Sequence, residues 1–104
     1  MGKLEGKCAL ITGASKGIGR GIALAMAAEG ADLLISSRKQ EELEKVAAEI
    51  HDTVSSDRKV VIHAGDVGCE QSVATMFDTY SQNFDRMDLL VNNAGAFNGG
   101  PIDE

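Results

Sequence analysis

The chain has 104 residues, with 10 basic and 16 acidic side chains and a formal net charge of −6. This length fits one domain, and an apolar fraction of 43% with 25% charged residues excludes the composition of a disordered chain. The acidic balance argues against binding to nucleic acid, which needs a basic surface. Residues 1–39 nevertheless contain six basic and three acidic side chains, and this local positive charge favours a small anionic ligand.

Export signals and metal-binding patterns are absent from the sequence. The segment 1–7 is polar, and no apolar run reaches the length of a membrane span, so we expect a cytoplasmic protein without membrane contacts. Cys8 and Cys69 lie far apart, without metal-ligand or CxxC spacing. We interpret both cysteines as small buried apolar residues.

Strand and helix patterns alternate without interruption along the chain. Short apolar runs bounded by turn residues predict buried strands, and apolar residues at spacings of three and four predict helices. In chain order these are strand 7–12, helix 17–29, strand 32–36, a helix ending near 52, strand 59–63, a helix with an apolar face over 73–84, and strand 88–92.

The helices carry more specific predictions. Ser37 and Gln40 have the spacing of a capping box at the start of the second helix. Tyr80 falls on the apolar face of the third helix, which indicates a core tyrosine. The predicted buried face of the first helix consists of Ile18, Ile22, Ala25 and Met26.

The alternating order of strands and helices predicts a parallel sheet, because helix-length crossovers join parallel strands. Right-handed crossovers favour the strand order 3-2-1-4, in an α/β fold of the Rossmann type with a doubly wound sheet. The third helix would then be alone on its face, and the fourth strand would be an unprotected apolar edge. We therefore expect residues 1–104 to be the N-terminal portion of a longer single-domain fold, incomplete at its C-terminal side.

A glycine-rich loop, TGASKGIG at residues 12–19, joins the first strand to the first helix. Backbone N–H groups at such a helix start can bind a pyrophosphate. Gly13 would allow the tight turn, Gly17 the close approach of the ligand, and Gly19 the packing of the helix on the sheet. The spacing departs from GxGxxG, and a tight turn without any ligand is the alternative interpretation.

The end of the second strand and the positions after it carry Ser36, Ser37, Arg38 and Lys39. An NAD-specific site would carry an acidic residue there. A guanidinium beside hydroxyl groups suits a 2′-phosphate, and Lys16 in the glycine loop would add a second cation. The pattern therefore predicts NADP (NADPH) in preference to NAD. The alternative is that Arg38 and Lys39 form an ordinary solvated helix start.

Three motifs together resemble the short-chain dehydrogenase/reductase family, in its compact single-domain branch. They are the TGASKGIG loop, Asp66-Val67 after the third strand and Asn92-Asn93-Ala94-Gly95 after the fourth strand. The resemblance runs from about Leu4 to Gly100, nearly the whole chain.

The resemblance implies roles for residues at the ends of the strands. Asp66 would hold the adenine amino group with the Val67 backbone nearby, and residues 92–95 would line the adenosine ribose. Ile18 would lie under the pyrophosphate and the nicotinamide side of the cofactor. The predicted cofactor-binding residues are Gly13, Ser15, Lys16, Gly17, Ile18, Gly19, Ser37, Arg38, Asp66, Val67, Asn92, Ala94 and Gly95.

The reaction that the resemblance implies is hydride exchange between a nicotinamide and a carbonyl or alcohol, catalysed by a serine and a Tyr-x-x-x-Lys pair. This pattern is absent from the 104 residues. The only tyrosine, Tyr80, is followed four positions later by Phe84, and no lysine follows Lys59. His51 and His63 have no carboxylate or serine pattern around them, and we assign them no role.

The sequence therefore predicts the cofactor-binding part of an NADP-dependent oxidoreductase, inert alone, with a small carbonyl or alcohol substrate and a homo-oligomeric full-length form. The alternative is a non-catalytic nucleotide-binding or interaction module. A methyltransferase on a related sheet is disfavoured, because its ribose site would need an acidic residue where Ser37 and Arg38 stand. The substrate itself cannot be read from these residues.

Overall fold

The computed structural model describes residues 3–14, 17–54, 58–65 and 69–92. All seven predicted elements are present, and the ends of the strands differ from expectation by at most one residue. In the described ranges, each helix is too short or too polar to cross a membrane. The elements are β1 (Cys8–Thr12), α1 (Gly17–Ala28), β2 (Asp32–Ser37), α2 (Gln40–Thr53), β3 (Val60–Ala64), α3 (Glu70–Asn83) and β4 (Leu89–Asn92).

The four strands form one parallel sheet in the order β3-β2-β1-β4, which confirms the predicted topology. One apolar cluster includes Ala9, Leu33 and Ile35 from the strands and residues of α1 and α2. A second cluster joins Leu10 and Leu34 to α3 on the other face of the sheet. The sheet is therefore doubly wound, and its central strands are buried on both faces, as their continuous apolar runs predicted.

Helix α1 packs on the sheet through small residues. Gly19, Ala23 and Ala27 are the buried positions, so the axis of the helix can lie close to the strands. The predicted buried face is therefore wrong in part, because it followed the largest apolar side chains rather than the smallest. Ile18 is 75% exposed, Ala25 is exposed, and Ile22 and Met26 are partly buried.

The predicted cap of the second helix is corrected by the structure. Ser37 is the last residue of β2 and not an N-cap, because the strand extends one residue further than predicted. Lys39 takes the N-cap position of α2 in an extended conformation, and its backbone N–H donates to Ser37 Oγ at 3.1 Å.

The two cysteines are less buried than expected. Cys69, at the N-cap of α3, is exposed, and Cys8 is half-buried. The expectation of two buried cysteines is therefore wrong.

Helix α3 covers only part of its face of the sheet. Met76 and Tyr80 are buried, and the Tyr80 ring stacks on Phe84 with a centroid separation of 4.7 Å. On β4, the edge strand of the described sheet, Leu90 is 54% exposed. Phe77, predicted on the apolar face of α3, is 40% exposed. The described residues thus leave the end of this face uncovered.

Hydrogen bonds to one aspartate fix the start of β4 beside the start of β1. The Cys8 N–H donates to Asp88 Oδ2 at 2.8 Å, and Arg86 Nε donates to the same oxygen at 2.9 Å. The bond from the Cys8 backbone, with help from Arg86, lowers the pKa of Asp88. Tyr80 joins this region because its hydroxyl donates to the Arg86 carbonyl at 2.5 Å.

The buried Tyr80 hydroxyl makes stability sensitive to alkaline pH. Burial, with smaller contributions from Cys8 and Asp88, raises the pKa of Tyr80 from 10.0 to about 12. The folded state holds this proton more tightly than the unfolded state, so the contribution of Tyr80 to the free energy of unfolding is fully present below pH 10. As the pH rises to about 12, this contribution is lost and the free energy of unfolding falls by about 2–3 kcal/mol.

Urea unfolding between pH 8 and pH 12 measures this effect, with Tyr80→Phe as the matched control. In the variant, the free energy of unfolding should fall less steeply with rising pH, because the contribution of the tyrosine is gone. A smaller fall should remain from Cys8, whose pKa is also raised, chiefly by burial. Parallel pH profiles for the two proteins would contradict the prediction.

Candidate functional site

The carboxyl ends of the four strands form one row at one edge of the sheet. In the observed register Thr12 pairs with Ser36 on one side and with Asn92 on the other, and Ser37 pairs with Ala64. The loops that follow these strand ends therefore start side by side. The described residues that were predicted to bind the cofactor lie at these strand ends, in the turn after β1 or in the first turn of α1, so the topology brings them to a common edge.

The turn from β1 to α1 has the backbone that its glycines predict. Gly13 and Gly17 have φ values of 64° and 63°, in the left-handed region that favours glycine. Ala14 is fully buried, and its N–H donates to the Ser36 carbonyl at 3.1 Å, which ties the turn to β2. This bond holds the first part of the turn at the edge of the sheet.

The described residues leave the amino end of α1 open to a ligand. A Cβ added at Gly17 would meet no atom of the described residues within 4 Å. Ile18 exposes 75% of its surface, although the transfer of an isoleucine side chain out of water is favourable. Because the first N–H groups of a helix lack partners within the helix, this open space suits an anion.

The end of β2 presents a hydroxyl and an exposed cation. Ser37 Oγ accepts the Lys39 N–H, so the position of the hydroxyl is fixed while its proton can be donated elsewhere. Arg38 and Lys39 are exposed, and neither takes part in an ion pair with another described residue. No acidic side chain stands at positions 36–39.

The end of β3 is held against β2 and α3 by a close approach of the backbone. The Gly65 N–H donates to the Ser37 carbonyl at 2.8 Å. A Cβ at Gly65 would lie 2.1 Å from Ser72 Oγ and 2.9 Å from His63 Cε1, so a larger residue would displace its neighbours. His63 Nδ1 is buried there without a hydrogen-bond partner. Sequence reasoning missed the role of Gly65, because one glycine after a strand reads as an ordinary turn residue.

The end of β4 is fixed to β1 by Thr12, a second residue that the sequence analysis did not place in the site. Thr12 is 4% exposed, and its hydroxyl lies 3.1 Å from Asn92 Oδ1 and 3.4 Å from the Val91 carbonyl. Its place directly before Gly13 in the TGxxxGxG motif was the available signal. Asn92 itself lies at the expected strand end and is exposed.

The structure therefore brings the seven predicted site residues that are described to one edge of the sheet, where Gly19 packs the helix on the strands. Among the described ranges, no group of three or more His, Cys, Asp or Glu side chains could hold a metal ion. The predicted residues outside the described ranges are Ser15, Lys16, Asp66, Val67, Ala94 and Gly95.

The open helix start and the cationic strand end fit an anionic nucleotide. One phosphate could reach the N–H groups at the start of α1, and a second could reach Ser37 and Arg38. Both positions lie at the edge formed by the ends of β3, β2, β1 and β4. Such an edge can bind a dinucleotide across the point where the strand order reverses.

Comparisons with known proteins, by sequence and by structure, agree on one protein family. The sequence model of the short chain dehydrogenase family matches residues 7–104. The 11-beta-hydroxysteroid dehydrogenase 1A of Arabidopsis thaliana is 44% identical over 92 residues, which cover 88% of this chain and 26% of that protein.

Two solved structures extend the comparison to the fold. The L-sorbose reductase of Gluconobacter frateurii, complexed with NADPH and L-sorbose, is 34% identical with a TM-score of 0.85, over 98% of this chain and 38% of that chain. An alcohol dehydrogenase from the archaeon Thermococcus sibiricus, complexed with 5-hydroxy-NADP, is 36% identical with a TM-score of 0.76, over 81% of this chain and 35% of that one. The chain spans about a third of the length of the curated relatives that it matches.

Proposed function

The chain belongs to the short-chain dehydrogenase family, and from that membership we propose that it is the cofactor-binding part of an NADP-dependent oxidoreductase. The full reaction would transfer a hydride between the nicotinamide and a small carbonyl or alcohol substrate. Membership supports oxidoreductase chemistry, and the end of β2 supports the choice of cofactor. The observation that carries the proposal is the exposed Arg38 beside the fixed Ser37 hydroxyl.

The described residues at the ends of β2 and β4 and at the start of α1 have physical tasks in this proposal. The backbone N–H groups at the start of α1 would bind the pyrophosphate, and the open space at Gly17 would allow its approach. The Ser37 hydroxyl would donate a hydrogen bond to the 2′-phosphate, and Arg38 would neutralise part of the phosphate charge. Asn92, held beside Thr12, would line the ribose. When bound, NADPH would supply the hydride.

Residues outside the described ranges complete the proposed site. Lys16 would add a second cation, and Asp66 would accept a hydrogen bond from the adenine amino group. Two family relatives support the cofactor, since one was solved with NADPH and another with 5-hydroxy-NADP.

Calorimetry with two ligands that represent the adenosine half of the cofactor tests the proposal directly. Adenosine 2′,5′-bisphosphate carries the 2′-phosphate, and 5′-AMP is the matched ligand without it. We expect the bisphosphate to bind at least about tenfold more tightly, because one charge-assisted contact contributes about 1.5–3 kcal/mol. Equal affinities would reject the NADP preference, and failure to bind either ligand would reject nucleotide binding.

A turnover assay separates binding from catalysis. The chain alone should not oxidise NADPH in the presence of carbonyl compounds, because no tyrosine in it is followed four positions later by a lysine. Steady NADPH oxidation that depends on the carbonyl compound would contradict the assignment of the chain as the cofactor-binding part.

A further inference from the structure

Three neighbouring groups meet the backbone of Gly65, directly after β3. The Gly65 N–H donates to the Ser37 carbonyl at 2.8 Å. A Cβ at this position would lie 2.1 Å from Ser72 Oγ, in the first turn of α3, and 2.9 Å from His63 Cε1. The φ angle of Gly65 lies outside the left-handed region, so its backbone conformation would accept an alanine. The close neighbours therefore require a glycine here, and the backbone conformation does not.

The neighbours of Gly65 have little room to move away. Ser36 and Met76 line the same space as Ser72 and His63, and they are 1% and 4% exposed. The Nδ1 atom of His63 is buried as well. Because protein interiors are close-packed, a methyl group added to a filled space forces side chains or the backbone to shift. A methyl group on residue 65 should therefore move the backbone at the end of β3.

The hydrogen bond from Gly65 fixes the peptide group that leads into Arg38. The Ser37 carbonyl and the Arg38 N–H belong to one planar peptide group, so a donor that holds the oxygen also orients the Arg38 backbone. The next peptide group is held in turn by the bond from the Lys39 N–H to Ser37 Oγ, at 3.1 Å. With the peptide groups on both sides held, the Cα–Cβ bond of Arg38 has a fixed direction.

The Arg38 side chain depends on this direction. It is exposed, and it forms no ion pair with another residue of the described ranges. A charge-assisted contact between a guanidinium and a phosphate needs a defined distance and orientation. A small rotation at the backbone grows along a long side chain and carries the guanidinium away from that geometry.

We propose that Gly65 is a positioning residue for Arg38 and, through Arg38, for the preference for a 2′-phosphate. Its N–H holds the peptide group that directs Arg38, and its missing side chain lets it do so while it lies against Ser72 and His63. Gly65 does not touch the phosphate in this arrangement. The inference rests on the proposed function and adds to it a residue on the neighbouring strand that supports the phosphate contact.

The first test compares adenosine 2′,5′-bisphosphate with 5′-AMP by calorimetry. We expect Gly65→Ala to bind the bisphosphate about fivefold more weakly and to keep its 5′-AMP affinity within about twofold. Removal of the Ser72 hydroxyl makes room for the methyl group, so Gly65→Ala/Ser72→Ala should recover most of the lost affinity. Ser72→Ala alone should behave as wild type. Gly21→Ala is the matched control, because a Cβ there would meet no atom of the described residues within 4 Å.

A double-mutant cycle shows whether Gly65 acts through Arg38. Arg38→Gln should weaken binding of the bisphosphate about tenfold. In that background Gly65→Ala should add less than about twofold, because the contact that it disturbs is already gone. A general loosening of the site would weaken binding by the same factor in both backgrounds, and that result would overturn the inference.

Hydrogen exchange in the wild-type chain tests the same coupling without a substitution at Gly65, and it applies even if Gly65→Ala does not fold. If the Gly65 hydrogen bond favours binding of the bisphosphate, the bound bisphosphate must in turn favour that bond. Exchange of the Gly65 amide proton should therefore slow more with saturating bisphosphate than with saturating 5′-AMP.

Three results would overturn the inference: equal slowing of exchange by the two ligands, equal losses of affinity for both ligands in Gly65→Ala, or no recovery in Gly65→Ala/Ser72→Ala. A wild-type chain that binds the bisphosphate no better than 5′-AMP would instead reject the proposed function and, with it, this inference.

Discussion

Replacing Arg38 with aspartate is expected to weaken NADPH binding by about 100-fold and to leave NADH binding within about threefold. The change removes a charge-assisted contact of about 1.5–3 kcal/mol and adds a carboxylate that repels the 2′-phosphate. NADH lacks this phosphate, and its ribose hydroxyls can donate to the new carboxylate. Arg38 is exposed and outside the described ion pairs, so the substitution should cost little stability.

Calorimetric titration of wild type and variant with both dinucleotides measures the reversal of preference. Lys45→Asp is the matched control, because it makes the same change of charge at an exposed position on α2 away from the end of β2. Arg38→Lys should fall between wild type and Arg38→Asp, since a lysine keeps the charge but loses the planar fork. NADPH affinity that Arg38→Asp leaves unchanged would contradict the cofactor assignment, and an equal effect of Lys45→Asp would show a nonspecific charge effect.

The sequence predicted the sheet almost completely, because its strands are of a kind that is easily recognised. Central strands that are buried on both faces, such as β1 and β2, are continuous apolar runs, and Gly13 clearly marks the end of β1. The handedness of parallel crossovers then leaves few strand orders for alternating elements. The order β3-β2-β1-β4 could therefore be predicted without any long-range information.

Features that depend on side-chain size and on single residues were not predictable in the same way. The period of α1 was read correctly, but hydrophobicity alone assigned Ile18 to the core, whereas close packing selected Gly19 and Ala23. One more residue in β2 moved Ser37 from a predicted helix cap to the end of a strand. Register at this scale is set by pairing between strands, which a local pattern does not contain.

The candidate site was predictable where a motif fixes the backbone. Gly13 has the left-handed backbone that the predicted tight turn needs, and Ser37 lies at the carboxyl end of β2, although it ends the strand and does not cap α2. The contacts that hold this edge together could not be predicted, since the hydroxyl of Thr12 meets Asn92 across 80 positions of sequence. Contacts of this kind become visible only after the strand order is known.

Truncation of Leu34 to alanine should lower the free energy of unfolding by about 3 kcal/mol. Leu34 is fully buried in the cluster that α3 forms with the sheet, and it belongs to the same apolar cluster as Leu10, Met76 and Tyr80. Removing its side chain leaves a cavity that these neighbours can only partly fill, and the lost contacts add to the lost transfer free energy. Urea unfolding of wild type and variant at pH 7, compared through the midpoint and the slope, measures the effect.

Leu90→Ala is the matched control, because it removes the same atoms from the neighbouring part of the sheet. Leu90 lies on edge strand β4 and is 54% exposed, so its truncation should cost less than about 1 kcal/mol. The difference between the two variants measures how far the cover provided by α3 extends across the sheet. Equal losses would mean that something also covers Leu90 in solution, and equilibrium sedimentation of the wild-type chain would then show whether a second copy provides that cover.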